Sequence, residues 1–271
     1  MKVGIKMKKV ILTTALLGLF SSSLLGGVTA FAADPAPLPT AGEIKFTTDE
    51  DEEGEVIKPN PDEEEEEDQE IITPEDGGST RGPLRIQFVP DFKFGVKKGI
   101  SSAKMVEDVL VIPYKDKANQ PTGKAIPTFV QVTDNRGLAT ADFTDWTLSV
   151  YASEFKTADH ELTGSHVKLN ESTLTTTLGD TDVAGNLVNG NALGEVIPTT
   201  PAKPLTVLAS KGVNTNGHQV SNVFHANYKK ETTYAPETRS HGAEFVKPAG
   251  IAPQKDVLYT ATMTWTLTSG L

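Results

Sequence analysis

From Leu84 onward, short runs of alternating apolar and polar residues are broken by Gly, Pro, Asn and Asp. Leu84, Ile86 and Phe88 fall on one face of a predicted strand, with Arg85 and Gln87 on the other. Pro90 and Asp91 interrupt, and Phe92 and Phe94 resume the apolar side. Residues 109–112 and 126–132 are further β-branched runs, and residues 143–152 place Trp146, Leu148 and Val150 opposite Thr147, Ser149 and Tyr151. The longest alternation covers residues 257–268: Val257, Tyr259, Ala261, Met263, Trp265 and Leu267 share one face, and threonines fill most of the other. A period of two held that long predicts a half-buried antiparallel strand. Helix signals are poor, the best being one or two turns over residues 102–110. Residues 179–194 carry Asp, Asn and Gly in turn chemistry. The pattern predicts an all-β fold, an antiparallel β-sandwich or elaborated barrel with long loops.

The pattern upstream is different. Lys2, Lys6, Lys8 and Lys9 precede an apolar stretch over residues 10–25, and Ala30-Phe31-Ala32 supplies small residues around a cleavage point. Residues 1–32 therefore read as a secretory signal peptide, with an apolar run short of the ~20 residues a membrane span needs. Residues 33–81 begin with Pro35, Pro37 and Pro39, and residues 43–48 alternate as one short strand would. Fourteen acidic residues and one lysine then fall between Asp49 and Glu70. Like charges at that density repel and bury little apolar surface, so residues 49–81 are expected to be a disordered, flexible acidic linker ahead of a domain at 82–271.

Composition narrows the chemistry. The chain has no cysteine, so disulfides and thiolate metal sites are ruled out. Its net charge of −11 sits in the acidic block, and no basic stripe exists elsewhere. Nucleic acid and an anionic membrane surface are therefore poor partners. An exported, cysteine-free, threonine-rich chain has a bacterial character. His160, His166, His218, His225 and His241 lie in no metal-binding spacing, and no metal or cofactor is expected. Asp180-Thr181-Asp182 with Gly185 hints at a calcium loop but lacks its closing glutamate. Ser165-His166 lies outside any nucleophile elbow. Asp145 beside Trp146 offers a glycosidase carboxylate, although a turn aspartate is the simpler reading. No sorting signal for covalent anchoring is present, so retention at the surface would require a binding domain.

Both tryptophans stand in the same local pattern, Asp145-Trp146-Thr147-Leu148-Ser149-Val150 and Thr264-Trp265-Thr266-Leu267-Thr268. Two further segments accompany them. One runs Gly82-Pro83-Leu84-Arg85-Ile86-Gln87-Phe88-Val89-Pro90-Asp91-Phe92-Lys93-Phe94-Gly95, and the other Phe129-Val130-Gln131-Val132-Thr133-Asp134-Asn135-Arg136-Gly137. This set, in this order, resembles the WxL domain of Gram-positive surface proteins, with a likeness extending over residues 44–271. The resemblance implies a β-rich domain that attaches to peptidoglycan without a covalent bond and assembles with other surface proteins. Members commonly continue past the distal motif, whereas Thr268-Ser269-Gly270-Leu271 closes this sequence.

The expected protein is thus a non-enzymatic cell-surface protein, exported and free of the membrane after signal cleavage. Its partners would be peptidoglycan, other surface proteins and host or plant extracellular material, in a scaffolding or adhesive role. A protein-binding subunit with only indirect wall association is the alternative, ahead of a carbohydrate-active enzyme. Trp146, Leu148, Trp265 and Leu267 are the candidate site. Two roles stay open for the tryptophans: core residues that mark the fold, or an aromatic face laid against sugar rings.

Overall fold

The computed structural model describes residues 44–45, 47–61, 69–177 and 194–270. The expected signal peptide, the proline-rich start, most of the turn-rich run at 179–194 and the Asp180–Asp182 hint lie outside these residues. The chain divides into two compact units, Met1–Lys45 and Phe46–Leu271. Only Ile44 and Lys45 of the first are described, both exposed. The second holds every element below.

This unit is all-β, as expected, but it is built from four small antiparallel sheets rather than two large ones. Sheet one joins β1 (Val56–Ile57), β2 (Ile71–Pro74), β5 (Ile112–Asp116) and β6 (Pro121–Ile126) in that order. Sheet two orders β10 (Thr173–Thr176), β13 (His218–Val223), β7 (Phe129–Asp134) and β3 (Leu84–Phe88). Sheet three orders β11 (Glu195–Val196), β9 (His166–Leu169), β14 (Arg239–Lys247) and β4 (Met105–Leu110). Sheet four orders β12 (Leu205–Ala209), β8 (Trp146–Ala152) and β15 (Met263–Ser269). The one helical element described is a 3-10 turn at Thr140–Asp142.

Sheet two is the central layer, and all six residues of β7 are buried. On one side, Val130, Val132, Ile86 and Val220 join the main core with Trp146, Leu148 and Val150 of β8 and Val167, Leu169 and Ala243 of sheet three. On the other side, Phe129, Phe88 and Val223 pack with Ile72, Ile112, Tyr114 and Ile126 of sheet one. The register of β3 slips between Ile86 and Phe88. That bulge moves Phe88 off the face of Ile86 and into the second core, 4.6 Å from Phe129 between ring centres. The single apolar face expected for β3 is therefore split between two cores.

Strands β1 and β2 lie inside the segment expected to be linker, of which residues 62–68 are not described. What draws acidic chain onto the domain is hydrogen bonding. The second face of β3, β7 and β13 carries Gln87, Gln131, Thr133 and Ser221, and the backbone of residues 52–57 lies across it. Gln131 donates to the Ile57 carbonyl (2.7 Å) and accepts from the Ile57 amide (3.2 Å), while Gln87 donates to the Glu53 carbonyl (3.0 Å). Asn135 donates to Glu52 (2.8 Å), and Arg85 pairs with the same carboxylate (3.2 Å). Arg85 is 2% exposed beneath Gly54, whose φ of +66° suits glycine and where a Cβ would overlap the guanidinium. The polar face that alternation assigns to water is covered by chain.

Two other expectations change. Of the run at 102–110, Met105–Leu110 form strand β4, paired with β14, rather than a helical turn. The last strand begins at Met263, not at 257. Upstream of it Thr260 makes a lone bridge to Lys156, and Val257 and Leu258 are exposed.

Candidate functional site

The Trp-x-Leu residues all belong to sheet four. In the β8–β15 register Leu267 lies opposite Leu148, Trp265 opposite Val150, and Ser269 opposite Trp146. The two tryptophans share the inward face but are not cross-strand partners. Trp146 is 1% exposed and Leu148 fully buried, whereas Trp265 and Leu267 are half-buried against the same core.

Trp146 is also the start of a polar chain. Its indole N–H donates to Thr215 Oγ1 (2.8 Å), and that hydroxyl donates to Asp134 Oδ2 (2.9 Å). Arg136 completes the chain, giving Asp134 two side-chain hydrogen bonds of 2.8 Å. Its guanidinium also reaches the Thr144 carbonyl (2.9 Å) and Ser269 Oγ (2.9 Å) at the end of β15. Burial pushes the Asp134 carboxyl up, but the bonds from Arg136 and Thr215 and the charge of Arg136 outweigh it, so the group is held below the ordinary carboxylate range. The Asp134-Asn135-Arg136-Gly137 turn thus ties both Trp-x-Leu strands together. This role was not legible in the sequence beyond the turn itself.

Other candidates have structural work. Asp145 accepts from Ser210 Oγ (3.0 Å) and the Gly212 amide (2.6 Å), which fixes the turn before β8. Ser165 is buried and accepts from the Phe155 amide (3.0 Å).

With the tryptophans inward, the outward face of β8 and β15 is made of hydroxyls. Thr264 lies opposite Tyr151, Thr266 opposite Ser149, and Thr268 opposite Thr147. Thr206 on β12 flanks Ser149 from the other side. Neighbours on such a face stand about 5 Å apart across strands and about 7 Å apart along them. Thr266 and Thr268 are exposed, and the rest are half-exposed. No residue of β8, β12 or β15 is charged, although the chain carries a net charge of −11. β15 is also an edge strand, paired on one side only.

Such a surface offers a neutral polymer many weak donors and acceptors without charge selectivity. No curated protein and no solved structure matches the chain. A family model described as WxL domain surface cell wall-binding matches residues 33–270, from ahead of β1 to the end of β15. That match spans all four sheets, and the chain belongs to the WxL domain surface cell wall-binding family.

Proposed function

We propose that this protein is exported, freed of residues 1–32, and held non-covalently on peptidoglycan by the hydroxyl face of sheet four. The observation that carries this reading is the contrast between the two faces of the Trp-x-Leu sheet. Trp146 and Leu148 are spent on the core, while Thr147, Ser149, Tyr151, Thr206, Thr264, Thr266 and Thr268 present an uncharged, hydroxyl-bearing plane. Each hydroxyl would contribute no more than about 1 kcal/mol, so affinity would come from many contacts made at once along a repetitive glycan. The family match supports the export reading as well, because its description is of a surface, cell wall-binding domain. A scaffolding or adhesive role in a surface complex, with host or plant extracellular material as a further partner, extends the same reading. An enzymatic role is not proposed.

The decisive experiment is co-sedimentation of the chain from Ala33 with protein-free sacculi. It compares the wild type with a Thr264→Val, Thr266→Val, Thr268→Val triple variant. Valine keeps the β-branched shape and strand preference while removing the hydroxyls. Sedimentation of the wild type should fall at least fivefold in the triple variant with the unfolding midpoint kept. Equal binding by both would sink the assignment to this face.

The open edge of β15 favours a second reading, a partner surface protein adding a strand there. In that case the purified chain would ignore protein-free sacculi and sediment only with walls that retain their proteins.

A further inference from the structure

A register shift in β14 brings together three side chains from two strands. Ser240 pairs with Val109 and Glu244 with the adjacent Asp108, so His241, Gly242 and Ala243 have no partner on β4, although Ala243 stays paired with Leu169 of β9. The bulge places His241 Nδ1 2.9 Å from Asp108 Oδ1 and 3.2 Å from Glu244 Oε1. All three potential ligand atoms lie within 4.8 Å of one another.

The bulge is held on every side. The Asn170 side chain donates to the His241 carbonyl (2.7 Å), and the Asn170 amide donates to the Gly242 carbonyl (2.9 Å). Gly242 presses on the Phe224 carbonyl so closely that a Cβ would overlap it. Glu244 is buried, and Lys168 meets its other oxygen at 3.4 Å, leaving Oε1 for His241. Two carboxylates thus face one lysine and one imidazole nitrogen. A single N–H cannot make a good hydrogen bond to both oxygens. A cation can satisfy all three atoms, because ligands about 2.1 Å from an ion stand roughly 3.0–3.4 Å apart. The two His241 spacings, 2.9 and 3.2 Å, lie at or near that range, and the Asp108 and Glu244 oxygens, within 4.8 Å of each other, would draw in around the ion. An imidazole among the ligands disfavours Ca²⁺ and Mg²⁺, which take oxygen. Beside the cluster, a cavity of about 430 Å³ is lined by His241, Lys168, Asn170, Glu171 and His225.

We propose that Asp108, His241 and Glu244 bind a divalent first-row transition cation such as Zn²⁺ or Mn²⁺, with the remaining coordination positions open to small oxygen ligands. The donor set is one nitrogen and two carboxylates on sheet three, with His241 exposed and Glu244 buried beneath it.

The test titrates Co²⁺, as a coloured probe, and then Zn²⁺ into the chain from Ala33. Wild-type protein should take up one equivalent of Co²⁺ with the visible absorption of a nitrogen- and oxygen-ligated ion, and Zn²⁺ should displace it. His241→Gln and Asp108→Asn should each lose that band. His166→Gln, whose histidine lies elsewhere on sheet three, should keep it. His241 is 74% exposed, so His241→Gln should unfold without metal at the wild-type temperature and separate lost binding from lost fold. Wild-type protein that stays colourless at millimolar Co²⁺ would overturn the proposal. So would a band that survives His241→Gln, since it would place the ion on the acidic block or another histidine.

Discussion

Trp146 and Trp265 share a motif but not an environment. Trp146 is sealed in the main core and bonded to Thr215, whereas Trp265 is half-buried on the edge strand. Trp146→Ala should therefore cost about 3–5 kcal/mol, and Trp265→Ala roughly half that, as read from urea-unfolding midpoints. Asp134 makes a prediction of opposite visibility, through pH. Its carboxyl is depressed in the folded state, so its stabilising contribution is fully present above the ordinary carboxylate pKa and is lost as pH falls through the lower folded value. Asp134→Asn should remove about 3 kcal/mol at pH 7, because it leaves Arg136 without its charge partner. It should also flatten the loss of stability below about pH 4, measured by thermal unfolding across that range. Pattern reading found Trp146 and Leu148 because burial on a strand follows alternation. It could not find the Thr215 and Arg136 partners, which lie 69 and 10 residues from Trp146 and meet it only through folded turns.

At the scale of elements, strands with one wet face and one dry face were legible. β8 alternates strictly between buried and half-exposed positions, as its sequence does. The failures have physical causes in long-range pairing. Met105, Val106, Val109 and Leu110 recur at helix-like spacing, yet the four-residue match at the start of β4 with 244–247 of β14 makes the segment a strand. Likewise, His241 and Glu244 stand in no recognised ligand spacing, and only the bulge beside Asp108 brings them into one cluster. The polar faces of β3 and β7 look solvent-facing until the chain at 52–57 lies on them. That docking has its own test in Gly54→Ala. The methyl group meets the Arg85 guanidinium in a left-handed backbone conformation, so the segment should lift locally. Amide hydrogen exchange at Ile57, whose N–H is held by Gln131, should accelerate at least tenfold, while the amides of β8 stay as protected as in the wild type.

The unit Phe46–Leu271 is layered, and its middle sheet has no independent outer side. Sheet two shares one core with sheets three and four and the other with sheet one. A domain cut at Gly82 would keep both Trp-x-Leu strands but would remove β1 and β2. Ile72, now 2% exposed, would vanish from the second core, a loss of about 2 kcal/mol of buried apolar surface. Gln87, Gln131 and Asn135 would lose the partners supplied by residues 52–57, at about 1 kcal/mol each. Lys58, buried over the Tyr114 ring and paired with Glu70 at 2.8 Å, would go as well, opening that ring to water. The sum is on the order of 5 kcal/mol, the whole margin of many domains. A chain starting at Gly82 should therefore melt well below one starting at Ala33 and bind a hydrophobic dye through the uncovered faces of Phe88, Phe129 and Tyr114. Equal melting temperatures with no dye bound would mean that the acidic segment is an accessory to a self-sufficient β domain. A lower temperature would make it the outer wall of the second core, which charge composition alone gives no reason to expect.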